Sequence, residues 1–501
     1  MIKELGYQIR HKFECLVKLM MVNRQINNLY KWASCNDCQG LGKKNSKTSK
    51  KLRLRYHLEM KEYEQAKSGG TPPKRPSAQL LLCKTCHGSG LIPSANFPTA
   101  DNENYPHVAI IGAGIGGVAL AVACLHRKIP FTIYERDSSF DARAQGYGLT
   151  LQQASKAMEA FGILKLEKGV ISTRHVVHTT DGKIIGEWGA RKWMQSVNQT
   201  NSKRKNIHIA RQSLRLAFLE QLGGQEAVQW EHELIDFKDS KNKGVELNFL
   251  VNGKMQTTHA NLLVAADGIR SAVRKQLIGE LTTPLQYLGC IVILGICPLK
   301  NLEGLAHPLL DSATVFQTAN GNERIYIMPY DSESVMWQLS FPIPELEAKA
   351  LSALGAQALK EEACRRTQWH TPIPQILAAT KVAQVSGYPV YDRKLLDLEL
   401  QAKVAQVTLL GDAAHPMSPF KGQGANQALL DALALARAIT KGCRPFSNWK
   451  EAGIRENVLN EFEFEMFARS SSKVQDSAEA AALLHSEIML RESDAPRGRK
   501  R

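Results

Sequence analysis

Four short apolar runs, each leading into a polar turn, punctuate the chain: His107-Val-Ala-Ile-Ile111, Phe131-Thr-Ile-Tyr-Glu135, Leu262-Leu-Val-Ala-Ala-Asp267 and Val404 to Leu410. Continuous apolarity over so few residues, without alternation, predicts strands buried on both faces. Between the first two runs lies Gly112-Ala-Gly-Ile-Gly-Gly117, followed by an Ala, Leu and Val-rich stretch to about Arg127 that predicts a helix. The order strand, glycine turn, helix, strand is a βαβ unit. After the last run, Pro419-Phe-Lys-Gly422-Gln-Gly424-Ala-Asn426 opens a predicted helix reaching about Ile439. Mid-chain, Tyr287 to Cys297, Ala313 to Gln317, Arg324 to Tyr330 and Ser334 to Phe341 carry the β-branched and aromatic content of a second sheet. At the start, Ile9, Phe13, Leu16, Leu19 and Met20 recur at helical spacing and predict an amphipathic helix.

This patterning divides the chain into an N-terminal helix over 1–34, a cysteine-bounded module over 35–92, a linker over 93–106, a large folded body over 107–480 with its second sheet at about 285–395, and a helix end with a basic tail over 481–501. With 44% hydrophobic and 22% charged residues in 501, the chain is a folded protein of several domains. No apolar run approaches the ~20 residues of a membrane helix, and Lys3, Glu4, Arg10, Lys12, Glu14 and Lys18 interrupt any secretory core, which makes the cytoplasm the expected location.

The net charge of +16 suggests nucleic acid until its distribution is considered. Residues 1–100 hold 18 Lys and Arg against 6 Asp and Glu, and the tail Arg497-Gly-Arg-Lys-Arg501 adds four more positive charges, which leaves the body neutral. The basic run Lys43 to Arg55 lacks interleaved aromatic residues, so nucleic acid is not an expected partner, whereas a protein partner of the N-terminal module stays open.

The glycine turn carries the first chemistry. Gly112 permits the tight turn, Gly114 lets backbone approach a pyrophosphate, and Gly117 allows close packing of helix on strand, with Ile115 on the helix start. The helix N-terminus offers free N–H groups to phosphates. Glu135, with Arg136 beside it, ends the second strand where a carboxylate accepts from ribose hydroxyls, so the dinucleotide is FAD or NAD rather than NADP. Downstream, the strand before Gly411-Asp412 delivers a carboxylate to a sheet end. The segment Gly422 to Ala425 then starts a helix suited to negative charge on a flavin.

These motifs, with Asp267-Gly268, resemble the single-component FAD-dependent monooxygenases of the p-hydroxybenzoate hydroxylase type, which include salicylate hydroxylase-like, kynurenine and tetracycline-inactivating enzymes. The resemblance spans roughly residues 107–480. It implies an α/β fold: a Rossmann-like FAD-binding domain interleaved with a β-sheet substrate domain. It implies that Gly112, Gly114, Gly117 and Glu135 hold the ADP half of FAD, that Asp267 and Gly268 serve flavin and nicotinamide binding, and that Asp412 binds the ribityl chain. Pro419, Gly422, Gly424 and Ala425 would border the isoalloxazine, Arg211 would lie near the phosphates and Arg143 near the ring. Tyr388 to Arg393 resembles the strand beneath the flavin, and His415 resembles a loop histidine that holds its turn rather than a base. The implied activity uses NAD(P)H and dioxygen to hydroxylate a small aromatic or polycyclic substrate through a flavin hydroperoxide, with no side-chain nucleophile. Met328, Pro329, Tyr330, Met336, Trp337 and Gln338 are candidates for the substrate pocket.

Cys35-Asn-Asp-Cys38-Gln-Gly-Leu-Gly42 and Cys83-Lys-Thr-Cys86-His-Gly-Ser-Gly90 share the pattern Cys-x-x-Cys-x-Gly-x-Gly. Two such knuckles make a closed tetrahedral Cys₄ set for one structural zinc, Cys35, Cys38, Cys83 and Cys86. The pattern resembles the zinc repeats of DnaJ-type chaperones, in two copies rather than four. A redox role is disfavoured because no thioredoxin-type helix follows either pair. Two alternatives remain: the zinc module docks a protein or lipid-like substrate for the flavin body, or that body is inactive and the chain is a zinc-based binding protein.

Overall fold

The computed structural model describes residues 31–45, 50–65, 73, 80–143, 147–194, 206–240, 244–302, 304–396 and 404–498, in two compact units, one ending at Pro98 and one beginning at Thr99. In the first unit, Lys31–Ser34 pairs antiparallel with Leu91–Ser94, and Lys43–Asn45 with Leu80–Leu82. The two pairings carry the two knuckles to one place, and the helix Lys50–Gln65 between them buries none of its side chains. Lys31–Ser34 is therefore strand where the amphipathic helix was expected to extend, because its backbone is taken up by the partner strand. The rest of that expected helix, including Ile9, Phe13, Leu16, Leu19 and Met20, lies outside the described residues. Pro93 and Ser94, expected to begin the linker, belong to the same strand pair.

In the second unit the elements that position the site are, in chain order, β1 (Val108–Ile111), α1 (Ile115–His126), β2 (Phe131–Tyr134), β3 (Gly148–Leu151), β4 (Arg174–His178), β5 (Ile184–Trp188), β6 (Ile207–Ala210), α2 (Arg211–Gln221), β7 (Val228–Gln229), β8 (Leu262–Ala265), α3 (Ala272–Ile278), β9 (Leu285–Pro298), β10 (Thr314–Ala319), β11 (Arg324–Pro329), β12 (Ser334–Pro342), β13 (Val385–Arg393), β14 (Val407–Leu409), α4 (Gly424–Gly442) and α5 (Asn460–Leu484). Strands β7, β2, β1, β8 and β14 form one sheet in that order, every neighbouring pair parallel. All four residues of β1 and of β8 are buried, as their unbroken apolarity requires. Helix α1 buries all but one of its residues, and its many alanines and glycines let it lie between the sheet and α4.

The second sheet runs β5, β4, β10, β11, β12, β9, β13. The expected range of about 285–395 covers five of these strands. The other two, β4 and β5, come from upstream because β4 pairs parallel with β10, a junction that local sequence does not encode. The two-residue repeat gives the sheet two distinct faces. Ile291, Ile293, Phe316, Ile325, Ile327, Trp337, Leu339 and Phe341 pack beneath the helices Glu345–Ala353, Gly355–Arg366 and Ile373–Ala379. The opposite face is turned to a cavity.

Helix α5 runs four residues past the expected body end at 480, and the segment after it is fastened down. Ser493 N donates to Ile185 O at 2.9 Å, and Arg497 donates to the carbonyls of Ser493 and Ile185. Arg499, Lys500 and Arg501 lie outside the described residues. Among the described residues no helix is long and apolar enough to cross a membrane.

Candidate functional site

Because β2, β1, β8 and β14 are parallel neighbours, their carboxyl ends share one sheet edge, and the expected chemistry collects there. Gly112 follows β1 with φ +99°, and a Cβ on it would lie 2.6 Å from Ala266 O, so only glycine fits. A Cβ on Gly117 would strike the Gly112 carbonyl oxygen. Gly114 precedes α1 in extended conformation and lines the cavity, and no side chain caps the helix. Glu135 at the end of β2 is fixed by two backbone donors: Ala113 N reaches Oε2 at 2.8 Å and Asp137 N reaches Oε1 at 3.2 Å.

Two arginines one helical turn apart on α2 divide the work. The Arg211 guanidinium lies over the Tyr147 ring at 6.0 Å and lines the cavity near Gly114. Arg215 is buried behind the turn, donating from Nε to Ala113 O at 2.7 Å and resting on Phe140 and Trp230. The signal for Arg215 was its i, i+4 spacing from Arg211, which places both on one helix face.

Beyond β8, Asp267 Oδ2 accepts from Ala272 N at 2.9 Å, while its Oδ1 is buried without a partner among the described residues. Burial raises the Asp267 carboxyl above the usual range. Beyond β14, desolvation by the surrounding cavity walls raises Asp412, whose side chain is open to the cavity, more than the positive fields of His415 and Arg211 lower it. The Asp412 Oδ1 stands 3.4 Å from where a Gly424 Cβ would be, at the start of α4, another helix without a side-chain cap. Gly422 holds the preceding turn at φ +59°.

A buried polar network keeps this corner in place. His415 Nε2 and Asp431 Oδ2 are 2.7 Å apart, Gly411 N donates to the same oxygen at 2.9 Å, and Arg469 Nη2 donates to Asp431 Oδ1 at 2.8 Å. His415 thus holds the turn. Burial by itself would raise the Asp431 carboxyl, but His415 and Arg469 bring it below its ordinary value. Asn426 joins α4 to the end of β3: its Oδ1 accepts from Gln152 N and Ala154 N, and its Nδ2 donates to Thr150 O and Gly422 O. Asp431 and Asn426 were passed over in sequence because each reads as one polar residue in an apolar helix.

One continuous cavity of about 1000 Å³ joins these parts. Its walls include Gly112, Gly114, Glu135, Arg136, Arg211, Asp267, Gly268, Asp412, Pro419, Gly422, Gly424 and Ala425. Ile115 and Gly117 pack behind the wall, and the Arg143 side chain lies outside the described residues. Of the pocket candidates, Met328, Met336 and Gln338 line the cavity. Trp337 does not: it is fully buried in the opposite core, where its Nε1 donates to Thr380 Oγ1 at 2.9 Å. Pro329 takes the same alternation away from the cavity, and Tyr330 sits in the hairpin turn after β11, hydrogen-bonded to Ser334. His175, Trp188, His208, Gln317, Arg324 and Tyr326 complete this end. Burial pushes His208 down to about 3 and His175 to about 4, so both rings are neutral near pH 7.

The uncapped starts of α1 and α4, the Glu135 and Asp412 carboxyls and the orphaned Asp267 oxygen are a donor and acceptor set suited to a long, many-hydroxyl dinucleotide. Residues 105–444 match the family described as FAD binding domain. The chain belongs to the FAD-binding domain family. Aurachin C monooxygenase/isomerase of Stigmatella aurantiaca is 29% identical over 335 residues, 66% of this chain and 80% of the relative. The 3-amino-4-hydroxybenzoate 2-monooxygenase PtmB3 of Streptomyces platensis is 26% identical over 338 residues, 67% of this chain and 80% of the relative. Klebsiella pneumoniae HpxO, solved with FAD and uric acid, shares the fold with a TM-score of 0.62 at 21% identity, covering 77% of this chain and 90% of that one. The chain is an FAD-dependent monooxygenase, an oxidoreductase by class.

The network at Asp431 sets a pH dependence. Its folded carboxyl lies below the unfolded value of about 3.9, so its stabilisation is fully present above that pH and is lost as pH falls further. Urea unfolding should find Asp431→Asn about 3–5 kcal/mol less stable than the parent at pH 7, with the gap closing below about pH 4.

Proposed function

We propose that the cavity seats FAD at full length and that the enzyme uses NAD(P)H and dioxygen to hydroxylate a small aromatic or polycyclic substrate against the second sheet. The observation that carries this reading is the continuity of one hollow from Glu135, past Asp412 and Gly424, to the wall formed by Tyr326, Met328, Met336 and Gln338. Bound FAD would supply the redox chemistry by which two electrons from NAD(P)H let one oxygen atom of dioxygen enter the substrate while the other leaves as water. Glu135 accepts from the ribose hydroxyls of the adenosine, and the α1 N-terminus with Arg211 holds the pyrophosphate. Asp412 accepts from the ribityl chain, and the start of α4 stabilises negative charge on the pyrimidine edge of the ring. The sheet, with three helices behind it, excludes water and orients the substrate. Both relatives named above are monooxygenases, and one is named for an aromatic substrate, which supports the substrate class. Purified protein should be yellow and should oxidise NADPH in air; a folded, colourless protein that takes up no FAD would overturn the assignment and favour a binding protein.

The four N-terminal thiols fit one structural zinc. Cys35, Cys38, Cys83 and Cys86 are buried, with ligand atoms all within 4.8 Å of one another. The Sγ separations of 3.9 Å for Cys35 and Cys83 and 3.6 Å for Cys38 and Cys86 match the edge of roughly 3.8 Å expected for a tetrahedron with ~2.3 Å zinc–sulfur arms. Gly42 N and Gly90 N each donate to a sulfur at 3.2 Å, as thiolates require. Elemental analysis should find about one zinc per chain, and Cys38→Ser should remove it while the FAD content stays unchanged. A docking role for this module is favoured by its exposed Leu54, Leu58, Leu80, Leu81 and Leu82.

A further inference from the structure

The chain beyond α5 bridges two walls of the cavity. Met489, in the short helical turn Glu487–Leu490, is buried with Val177, Ile185 and Leu484 and ends the packed part of the chain. None of residues 491–498 is buried. Polar ties hold them nonetheless. Ser493 N donates to Ile185 O on β5 at 2.9 Å, Glu187 N donates to Asp494 Oδ1 at 2.9 Å, and Arg497 donates to Ser493 O and Ile185 O. Lys192 Nζ meets Asp494 Oδ2 at 2.6 Å, and Lys183 Nζ meets Glu492 Oε1 at 2.9 Å. At the far end, Lys421 Nζ donates to Gly498 O. Strand β5 is an edge of the second sheet, and Lys421 lies in the loop between Pro419 and Gly422 that leads into α4. The segment therefore joins that sheet to that loop, and between its attachments Pro496 and Arg497 form part of the cavity wall.

Gly186 on β5 shows that the sheet is shaped to receive this segment. A Cβ there would lie 2.1 Å from Ser493 O and 2.9 Å from Arg497 Nη2. Gly186 does not hold a left-handed turn, so its missing side chain serves the close approach of the segment. The attachment is also of a weak kind. Both lysine–carboxylate pairs are exposed, where ion pairs gain little and salt screens them. A stretch without a buried residue opens at a cost far below that of unfolding the body.

We propose that residues 491–498 are a strap over the flavin end of the cavity, hinged after Met489 and fastened to β5 and Lys421. Its opening admits small molecules to the ring, and its closure keeps water out. This rests on the seating of FAD given above and adds a gate to it.

The test uses the FAD-loaded, full-length enzyme under nitrogen, with dithionite as the probe and flavin absorbance as the readout. Gly186→Val drives a side chain into the place of Ser493 O, and Ser493→Pro removes the N–H that donates to Ile185 O. Neither variant changes the charge, and neither position lies on the cavity wall. Dithionite should reduce the flavin of each variant roughly threefold or more faster than that of the parent, with the FAD content unchanged. In the parent, hydrogen exchange over 491–498 should run roughly tenfold or more faster than over α5. Reduction at the parent's rate in both variants, or exchange over 491–498 as slow as over α5, would overturn the proposal. Ser493→Pro lies outside the packed body, so its result stands even if Gly186→Val does not fold. A parent protein that takes up no FAD would instead strike the seating of the flavin, and exchange on that same protein still decides whether the strap opens.

Discussion

Parallel pairing of β2, β1, β8 and β14 is the constraint on which the site depends. Strands that run the same way end on the same edge, so whatever follows each strand is delivered to one crevice. Here Gly112, Glu135, Asp267 and Asp412 follow those strands. Backbone bonds continue the alignment past the strand ends: Gly112 N donates to Tyr134 O, Ala266 N to Ile111 O, and Leu410 N to Ala265 O. Closing the Gly112 turn depends on Gly117 having no side chain, since the carbonyl of one occupies the place of the other's Cβ. Sheet order thereby produces a binding edge from residues far apart in the chain.

The groups around that edge fall into two kinds. Asp431, His415, Arg215 and Asn426 are buried, Arg469 is half-buried, and all five are partnered and hold loops in position. Asp267 and Asp412 are held in surroundings that disfavour their charge, and one Asp267 oxygen has no partner at all among the described residues. A fold that wanted only stability would replace them. Their retention makes sense if hydroxyls or N–H groups of a ligand complete their bonding.

Much of this was legible in the sequence because the decisive signals are local. A glycine turn between a strand and a helix, a terminal acid on the next strand, and the Asp-Gly and Gly-Asp corners each occupy about one turn of chain, and their spacing fixed a dinucleotide fold. The two Cys-x-x-Cys-x-Gly-x-Gly knuckles predicted four clustered thiols, and the four are clustered. Pairing between distant segments was not legible. Strands β4 and β5 join the second sheet through a parallel contact with β10, and Lys31–Ser34 becomes strand through Leu91–Ser94. Strand register decided the pocket: Met336 and Gln338 face the cavity while Trp337 between them faces the core. Arg324 was invisible for the same reason, since an arginine opening a strand reads as solvated until its partners are known.

The most direct test is the affinity of the apoprotein for FAD, measured by fluorescence titration of the parent, Glu135→Ala, Asp412→Ala and the double variant. In the proposed seating these carboxylates hold opposite ends of one ligand, and hydrogen bonds to charged groups are worth about 1.5–3 kcal/mol. Each single change should then weaken FAD roughly tenfold or more, and the double change by about the product. FAD held as tightly by both single variants as by the parent would contradict the account.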